Sequence, residues 1–361
     1  MAQYKILVIN PGSTTTKLAI FSEEGLVVGE SLDHTGEEWA TRFKTVDQLP
    51  FRVAAVEEFL KRNSVEPRNL SCVVARGGLL RPVKSGTYIV NEEMVKDLRQ
   101  EVGGSHASNL GGLLASHVAS LGGIPAYVVD PVSVDEYSAV ARLSGIPDLP
   151  RKSLLHALNM KASARKAAVE LGKPLGELFL VIAHLGSGFS VSPCYKGRLT
   201  DANNSNEEGP FTVERAGTLP SLYLKELYDN IQDPKKLKTI LVSESGMYGY
   251  LGTKDARAVE MAARTERKAD LVYRAMAYQV AKEICAMAAT YPESPDAVVI
   301  TGGLARSSVF TGLIRERTGF LGPHLVYPGE DEMGALAEGA LRVLKKEEAA
   351  RVYPEKEVFE V

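Results

Sequence analysis

No feature limits this chain's fold more than a near-repeat within it. Ile6-Leu7-Val8-Ile9-Asn10-Pro11-Gly12-Ser13-Thr14-Thr15-Thr16 reads as an apolar strand, a tight polar turn and the start of a second strand. Near mid-chain, Leu180-Val181-Ile182-Ala183-His184-Leu185-Gly186-Ser187-Gly188-Phe189-Ser190 reads the same way. Asn10, Gly12 and Ser13 align with His184, Gly186 and Ser187 at one constant spacing. A second pair follows in the same order: Val73-Val74-Ala75-Arg76-Gly77-Gly78-Leu79-Leu80-Arg81 resembles Val298-Val299-Ile300-Thr301-Gly302-Gly303-Leu304-Ala305-Arg306. Apolar strands ending in glycine pairs are common, so either match alone could be chance. Two matches in one order point to a duplicated α/β fold.

The remaining segments fit that plan. Asp270 to Ala289 carries Met276, Val280, Ile284 and Met287 on one helical face, with Pro292 beyond its end. Met333 to Ala350 is expected to be a second long helix, and Met94–Val102 and Asn159–Leu171 shorter ones. The run Lys345-Lys346-Glu347-Glu348 reads as a solvated helix end. Strands alternating with helices argue for parallel or mixed sheets covered on both faces. Pro147-Asp148-Leu149-Pro150 is a stiff connection, and the first domain is expected to end between Asp130 and Pro150. We place that domain at residues 1–150, completed by the closing segment 333–361, and the second at 151–332.

Bulk composition excludes several classes. The 361 residues are 45% hydrophobic and 24% charged, enough for two ordinary cores. A net charge of -3 with scattered Lys and Arg gives no electrostatic case for nucleic acid or anionic lipid. Cys72, Cys194 and Cys285 match neither a disulfide framework nor a zinc spacing, so reduced thiols are expected. Met1-Ala2-Gln3-Tyr4-Lys5 enters an apolar strand at once, and no apolar run nears the ~18 residues of a membrane span. The expected compartment is the cytoplasm, without a signal peptide.

Gly12-Ser13-Thr14-Thr15-Thr16-Lys17 is a hydroxyl-rich turn in which glycine lets the backbone approach a phosphate and N–H and O–H donors can surround its oxygens. An ordinary polar hairpin would look the same. Gly186-Ser187-Gly188 offers the same chemistry in the second half, and two such hairpins could grip a triphosphate from both sides. A Walker loop is absent, because Gly12 lacks the Gly before Lys17. A dinucleotide fingerprint fails where Val191 stands in place of the third Gly, and no protein-kinase catalytic loop occurs. Thr301-Gly302-Gly303-Leu304 follows a strand, and its paired glycines suit either a flat ring lying on bare backbone or a plain strand-to-helix turn.

In this order, Asn10-Pro11-Gly12-Ser13 with Lys17, His184-Leu185-Gly186-Ser187-Gly188 and Thr301-Gly302-Gly303 resemble the acetate and sugar kinase, actin and Hsp70 superfamily. Within it the chain is most similar to the carboxylate kinases: acetate, propionate and butyrate kinase. Acetate kinase has Asn-Ala-Gly-Ser-Ser-Ser and His-Leu-Gly-Asn-Gly in the two hairpins, so Pro11, Thr14, Thr15 and Ser187 depart from it. Val74 to Pro82, Gly86-Thr87-Tyr88 and Glu214-Arg215-Ala216-Gly217 instead resemble butyrate kinase. The resemblance runs from Ile6 to about Leu344.

It implies a duplicated ribonuclease-H-like, actin-like ATPase fold of two domains with an interdomain cleft. It also implies direct in-line transfer from ATP to butanoate, with Mg²⁺, giving ADP and butanoyl phosphate. Residue by residue, it implies Asn10, Gly12, Ser13, Lys17, Gly186, Ser187 and Gly188 at the phosphates, with Asp255, Gly302 and Gly303 on the nucleotide side. His106 falls near the acyl substrate. Asp130, His156, His184 and Arg215 match active-site residues, and Glu332, with Asn10, lies near the metal. Arg76 is carried over as a functional replacement touching substrate, because the acetate kinase arginine falls at Val73. His34, His117 and His324 are assigned no role.

The chemistry suits these residue types. Phosphoryl transfer to a carboxylate brings anions together, and Arg binds carboxylate and phosphoryl oxygens at fixed geometry. A carboxylate needs no general base at neutral pH, so the histidines are read as hydrogen-bond donors, and Asp130 as orienting an Arg or a metal-bound water. Each could instead be a satisfied structural group, and Arg215 could pair with Glu214 or Glu208 to pin its loop. Acetate, propionate or branched-chain acids are alternative substrates. From another class, an actin- or Hsp70-like ATPase would want an acidic or Gln residue at the first hairpin and a further binding module. The resemblance also implies a homodimer or higher homo-oligomer.

Overall fold

The computed structural model describes residues 4–355 and contains two compact units, the chain up to Asp135 together with the chain from Asp331 onward, and Glu136–Glu330. Residues 136–150, assigned from sequence to the first domain, lie in the second unit. There Tyr137 Oη donates to the Ala202 carbonyl (2.7 Å), Ser138 N–H to the Thr200 carbonyl (2.8 Å) and Arg151 N–H to the Arg142 carbonyl (2.8 Å). Residues 356–361 of the expected closing segment lie outside the described residues.

The first unit is built on β1 (Ile6–Pro11), β2 (Thr15–Ser22), β3 (Gly25–Asp33), β4 (Cys72–Arg76), β5 (Thr87–Ile89) and β6 (Ala126–Val129), in the order β3-β2-β1-β4-β6-β5. β1, β2 and β3 form an antiparallel meander, and β4 and β6 continue it in parallel with β1. Strand alternation sends Leu7, Ile9, Leu18 and Ile20 to one face, where Val56, Phe59, Leu110 and Leu114 of the helices Leu49–Arg62 and Asn109–Gly122 cover them. The helix Glu332–Leu344 covers the other face with Ala335, Leu336, Ala337 and Ala340, whose small side chains allow close approach.

The second unit repeats the scheme with β7 (Phe179–Leu185), β8 (Phe189–Tyr195), β9 (Arg198–Leu199), β10 (Ala297–Gly302) and β11 (His324–Pro328), in the order β11-β10-β7-β8-β9. β7 and β8 pair antiparallel, and β10 and β11 run parallel to β7. The segments that match in sequence, β1 with β7 and β4 with β10, thus occupy equivalent central positions. This is a duplicated ribonuclease-H-like fold. The helix Arg267–Ala288 buries Met276, Val280, Ile284 and Met287 over β7 and β8 as its periodicity predicts.

Hydrogen bonds explain where two of the helices end differently from the sequence expectation. The first short helix spans Glu92–Gln100 rather than Met94–Val102, because the Asn91 side chain accepts from Met94 N–H (2.9 Å) and Glu101 ends it in the left-handed region. The last helix stops at Leu344, not Ala350. Glu348 is no solvated helix end: it accepts from Arg342 Nε (3.0 Å) and Thr87 N–H (3.1 Å), tying the closing segment to β5. Among the described residues no helix is long and apolar enough to cross a membrane.

Candidate active site

In the first unit β1 delivers Asn10, nearly buried, directly opposite exposed Lys17 of β2. Asn10 Nδ2 donates to Glu332 Oε2 (2.7 Å), and Arg76 Nη1 meets Glu332 Oε1 at 2.7 Å. The end of β1, the end of β4 and the first residue of the last helix therefore converge, although they are remote in sequence. The Gly12–Ser13 turn is closed by Gly12 N–H to the Thr15 carbonyl (2.8 Å), with Ser13 exposed.

Behind that turn lies Arg52, a fully buried residue of the helix Leu49–Arg62 that sequence reading missed. Its place on the stripe with Val56, Phe59 and Leu60 was the available signal. His34, assigned no role from sequence, reaches Thr16 Oγ1 beside it (2.9 Å).

His106 Nδ1 lies 2.5 Å from Ser108 Oγ and accepts from Ser108 N–H (3.2 Å), which leaves Nε2 as the outward donor of a neutral ring. Loss of water around the ring, and then the Arg76 guanidinium, push its pKa below the ordinary value. Asp130 follows β6 with φ 39°, a left-handed conformation that Asp tolerates better than most residues. Its Oδ1 accepts from Ser85 Oγ (2.6 Å) and Gly86 N–H (2.8 Å), shaping the turn before β5.

In the second unit His184 ends β7 fully buried, with neither ring nitrogen in an aligned hydrogen bond and Nε2 3.2 Å from Glu330 Oε1. His156 stacks on it, ring centroids 4.3 Å apart, and is held by Nδ1 to Ser190 Oγ (2.8 Å). The Gly186-Ser187-Gly188 hairpin is fastened by Thr212 Oγ1 donating to the Ser187 carbonyl (2.8 Å), and Thr212 Oγ1 also accepts from Arg215 N–H (3.1 Å). The Arg215 guanidinium lies against Gly188 so closely that an added Cβ would stand 2.6 Å from Arg215 Cζ.

Arg215 donates to the Ser205 carbonyl (2.6 Å), while its Nε is buried without a partner. The acids that could pair with it are engaged elsewhere, Glu214 with Lys254 (2.5 Å) and Glu208 with Arg151 (2.9 Å). Burial lowers the Arg215 pKa from the usual guanidinium value, against the upward pull of Glu214.

Next to this hairpin the second unit holds a cavity of about 740 Å³. Gly186, Ser187, Asp255, Arg257, Gly303 and Arg306 stand in its wall. Gly302 needs its glycine: φ is 95°, and a Cβ would sit 2.6 Å from the Leu185 carbonyl carbon. At Gly303 a Cβ would meet nothing, so glycine there keeps the cavity open. Asp255 caps the helix Ala256–Ala262, accepting from Arg257 N–H (2.9 Å) and Ala258 N–H (3.2 Å). Deeper in the wall, Tyr273 Oη donates to Glu260 Oε2 (2.6 Å), a contact with no sequence signal.

Each unit thus carries a glycine hairpin on a ribonuclease-H-like sheet, and in the second unit a cationic side chain lies against it. The profile of the acetokinase family matches residues 150–322. A probable butyrate kinase 2 of Caldanaerobacter subterraneus subsp. tengcongensis is 45% identical over 97% of this chain and 99% of its own length. A probable butyrate kinase of Thermotoga petrophila is 46% identical over 97% and 98%. The crystal structure of Porphyromonas gingivalis acetate kinase shares the fold, with TM-score 0.78 at 18% identity over 94% of this chain and 100% of that one. The chain belongs to the acetokinase family and is a kinase whose acceptor is a carboxyl group.

Proposed function

We propose that this kinase phosphorylates butanoate, ATP + butanoate ⇌ ADP + butanoyl phosphate. A carboxylate oxygen forms a bond to the γ-phosphorus as the bond from that phosphorus to the bridging oxygen breaks, and ADP leaves with the electron pair. The full-length likeness to two probable butyrate kinases supports the choice of acid. The observation that carries the phosphoryl role is Arg215, a partly buried cation whose neighbouring acids are bound to other cations. Such a group is preorganised for an anion that arrives, since little must reorganise when charge develops.

The other roles follow from the contacts. The nucleotide is assigned to the second unit's cavity beside Gly303 and Asp255, with Gly186, Ser187 and Gly188 at its phosphates, and in the first unit Asn10, Gly12, Ser13 and Lys17 are given a phosphate-binding role. His184, with an imidazole short of partners, donates to the transferring group, and His156 fixes its plane by stacking. Arg76, aimed by Glu332, and His106, through Nε2–H, receive the acid's carboxylate. Asp130 holds the Ser85–Gly86 turn.

Mg²⁺ sites commonly use one or two carboxylates plus substrate phosphates and water, and the Glu332 carboxylate beside the Asn10 amide fits that donor set. Bound there, Mg²⁺ would supply charge at the β- and γ-phosphate oxygens. We further propose a cytoplasmic enzyme, in keeping with three free cysteines, and a homodimer or higher homo-oligomer. The exposed apolar residues Leu222 and Tyr223 on the helix Ser221–Ile231 support self-association, which light scattering would check.

A hydroxamate assay with ATP, Mg²⁺ and C2–C6 acids tests the reaction. Acyl hydroxamate is expected with butanoate as the best acid, and none from any acid would end this reading.

A further inference from the structure

We propose that Arg52 is a positioning residue that sets the first glycine hairpin in its phosphate-binding shape, an inference that rests on the phosphate role given to that turn. Its two terminal nitrogens lie within hydrogen-bond distance of five neutral acceptors: Nη1 of the Thr15 carbonyl (2.6 Å) and Thr16 Oγ1 (2.6 Å), and Nη2, sharing its two N–H groups, of the carbonyls of Gly12 (3.1 Å) and Ser13 (2.9 Å) and of Gln48 Oε1 (3.0 Å). Three backbone carbonyls of one short turn thus point at a single cation. In a planar trans peptide the C=O and the following N–H point opposite ways. Carbonyls of Gly12 and Ser13 turned toward Arg52 therefore send the amides of Ser13 and Thr14 away from it, as an anion-binding turn requires.

The face matters as much as the count. Asn10 and Lys17 pair across the strands on one face of the sheet, whereas Thr16 lies on the other face with Arg52 and the helix Leu49–Arg62. Arg52 thus holds the turn from the side opposite Asn10 and Glu332. Among the described residues no carboxylate forms a salt bridge with Arg52, so its charge is not cancelled locally and adds to the positive field behind the turn. Burial lowers its pKa to about 10, which leaves it charged at neutral pH.

The mounting is rigid. Trp39 lies over the guanidinium at 5.3 Å, itself stacked on Phe51 at 5.1 Å. Thr16 Oγ1 accepts from Arg52 and lies 2.9 Å from His34 Nε2, and burial, then the Arg52 charge, pushes the His34 pKa below its ordinary value. A cation that served only to fill the core could be replaced without changing how the enzyme treats ATP.

That difference is the test. Arg52→Lys and Thr16→Val are made in the full chain, and melting temperature, kcat and KM for ATP and for butanoate are measured beside wild type. A lysine keeps charge but cannot reach three carbonyls from one plane. Small misplacement of reacting groups is worth about 10²-fold, so Arg52→Lys should lower kcat/KM for ATP by roughly that factor while KM for butanoate stays within about twofold. Thr16→Val should move in the same direction by less. A folded Arg52→Lys enzyme with wild-type ATP kinetics would overturn the proposal, as would an equal rise in KM for both substrates. If Arg52→Lys does not fold, Thr16→Val decides alone, and an unchanged KM for ATP there overturns it. Failure of wild type to make any acyl hydroxamate would instead sink the functional reading, so the two failures are distinguishable.

Discussion

Replacing Arg215 with alanine removes a guanidinium that lies on Gly188 and donates to the Ser205 carbonyl at 2.6 Å. On the structural side the loss is one hydrogen bond and some packing, worth about 1 kcal/mol net, because no salt bridge is broken among the described residues. On the catalytic side, removing one preorganised donor to a charge that develops in the transition state typically lowers kcat by ~10²–10³, or about 2.7–4 kcal/mol. The catalytic effect should therefore exceed the stability effect by a wide margin. The assay is steady-state acyl phosphate formation with active-site titration, and a melting curve on the same sample. KM for ATP should move little, and Arg215→Lys should recover only part of the rate. Gly188→Ala supplies an independent check: its Cβ would stand 2.6 Å from Arg215 Cζ and must push the guanidinium aside with the arginine still present. A destabilised Arg215→Ala enzyme turning over at the wild-type rate, or a fully active Gly188→Ala enzyme, would refute the reasoning.

Chain-length dependence should peak at C4, with kcat/KM falling several-fold for each methylene removed, since one CH₂ is worth about 0.8 kcal/mol of burial; equal efficiency on acetate and butanoate would reject butanoate as the preferred acid. Gly303→Val should raise KM for ATP strongly and leave KM for butanoate unchanged, because it fills the open cavity wall; an unchanged KM for ATP would move the base elsewhere. Acid should destabilise the protein as pH falls below the unfolded histidine pKa of 6.5. His34, His106 and His324 are all pushed below the ordinary histidine value, chiefly by burial, so their contribution is full above the unfolded pKa of 6.5 and is lost as pH falls through the folded pKa values. Glu283, raised by burial, works in the opposite direction, so the His34→Gln variant is the cleaner measurement: it should flatten part of the melting-temperature slope, and an unchanged slope would refute the assignment.

The helical registers show how far local pattern reaches. The Arg267–Ala288 helix was legible because its apolar residues recur at helical spacing and face one core. The end of the last helix was not, because Lys345 to Glu348 are good helix formers by themselves. Glu348 is turned instead to Arg342 and to the backbone of Thr87, a residue remote in sequence. Residues 136–150 are a similar case. Their composition reads as a connection, while the hydrogen bonds that bind them to Thr200 and Ala202 are long-range.

By itself the sequence determined the duplication, the two glycine hairpins, the strand leading into Gly302-Gly303 and the carboxylate-kinase resemblance, all of which are carried by contiguous residues. A hairpin closes on itself, so its signature need not wait for distant partners. Tertiary structure alone decided which charges are engaged and which remain available. Glu214 and Glu208 are neighbours of Arg215 in sequence, yet Lys254 and Arg151 hold them, and that choice leaves Arg215 facing Gly188. The same holds for Glu332, met by Asn10 and Arg76 from two strands, and for Arg52, whose acceptors come from a turn folded back over its helix. The reason is physical: a buried charge takes whatever partner the packed core brings within hydrogen-bond reach, and packing is a property of the whole chain.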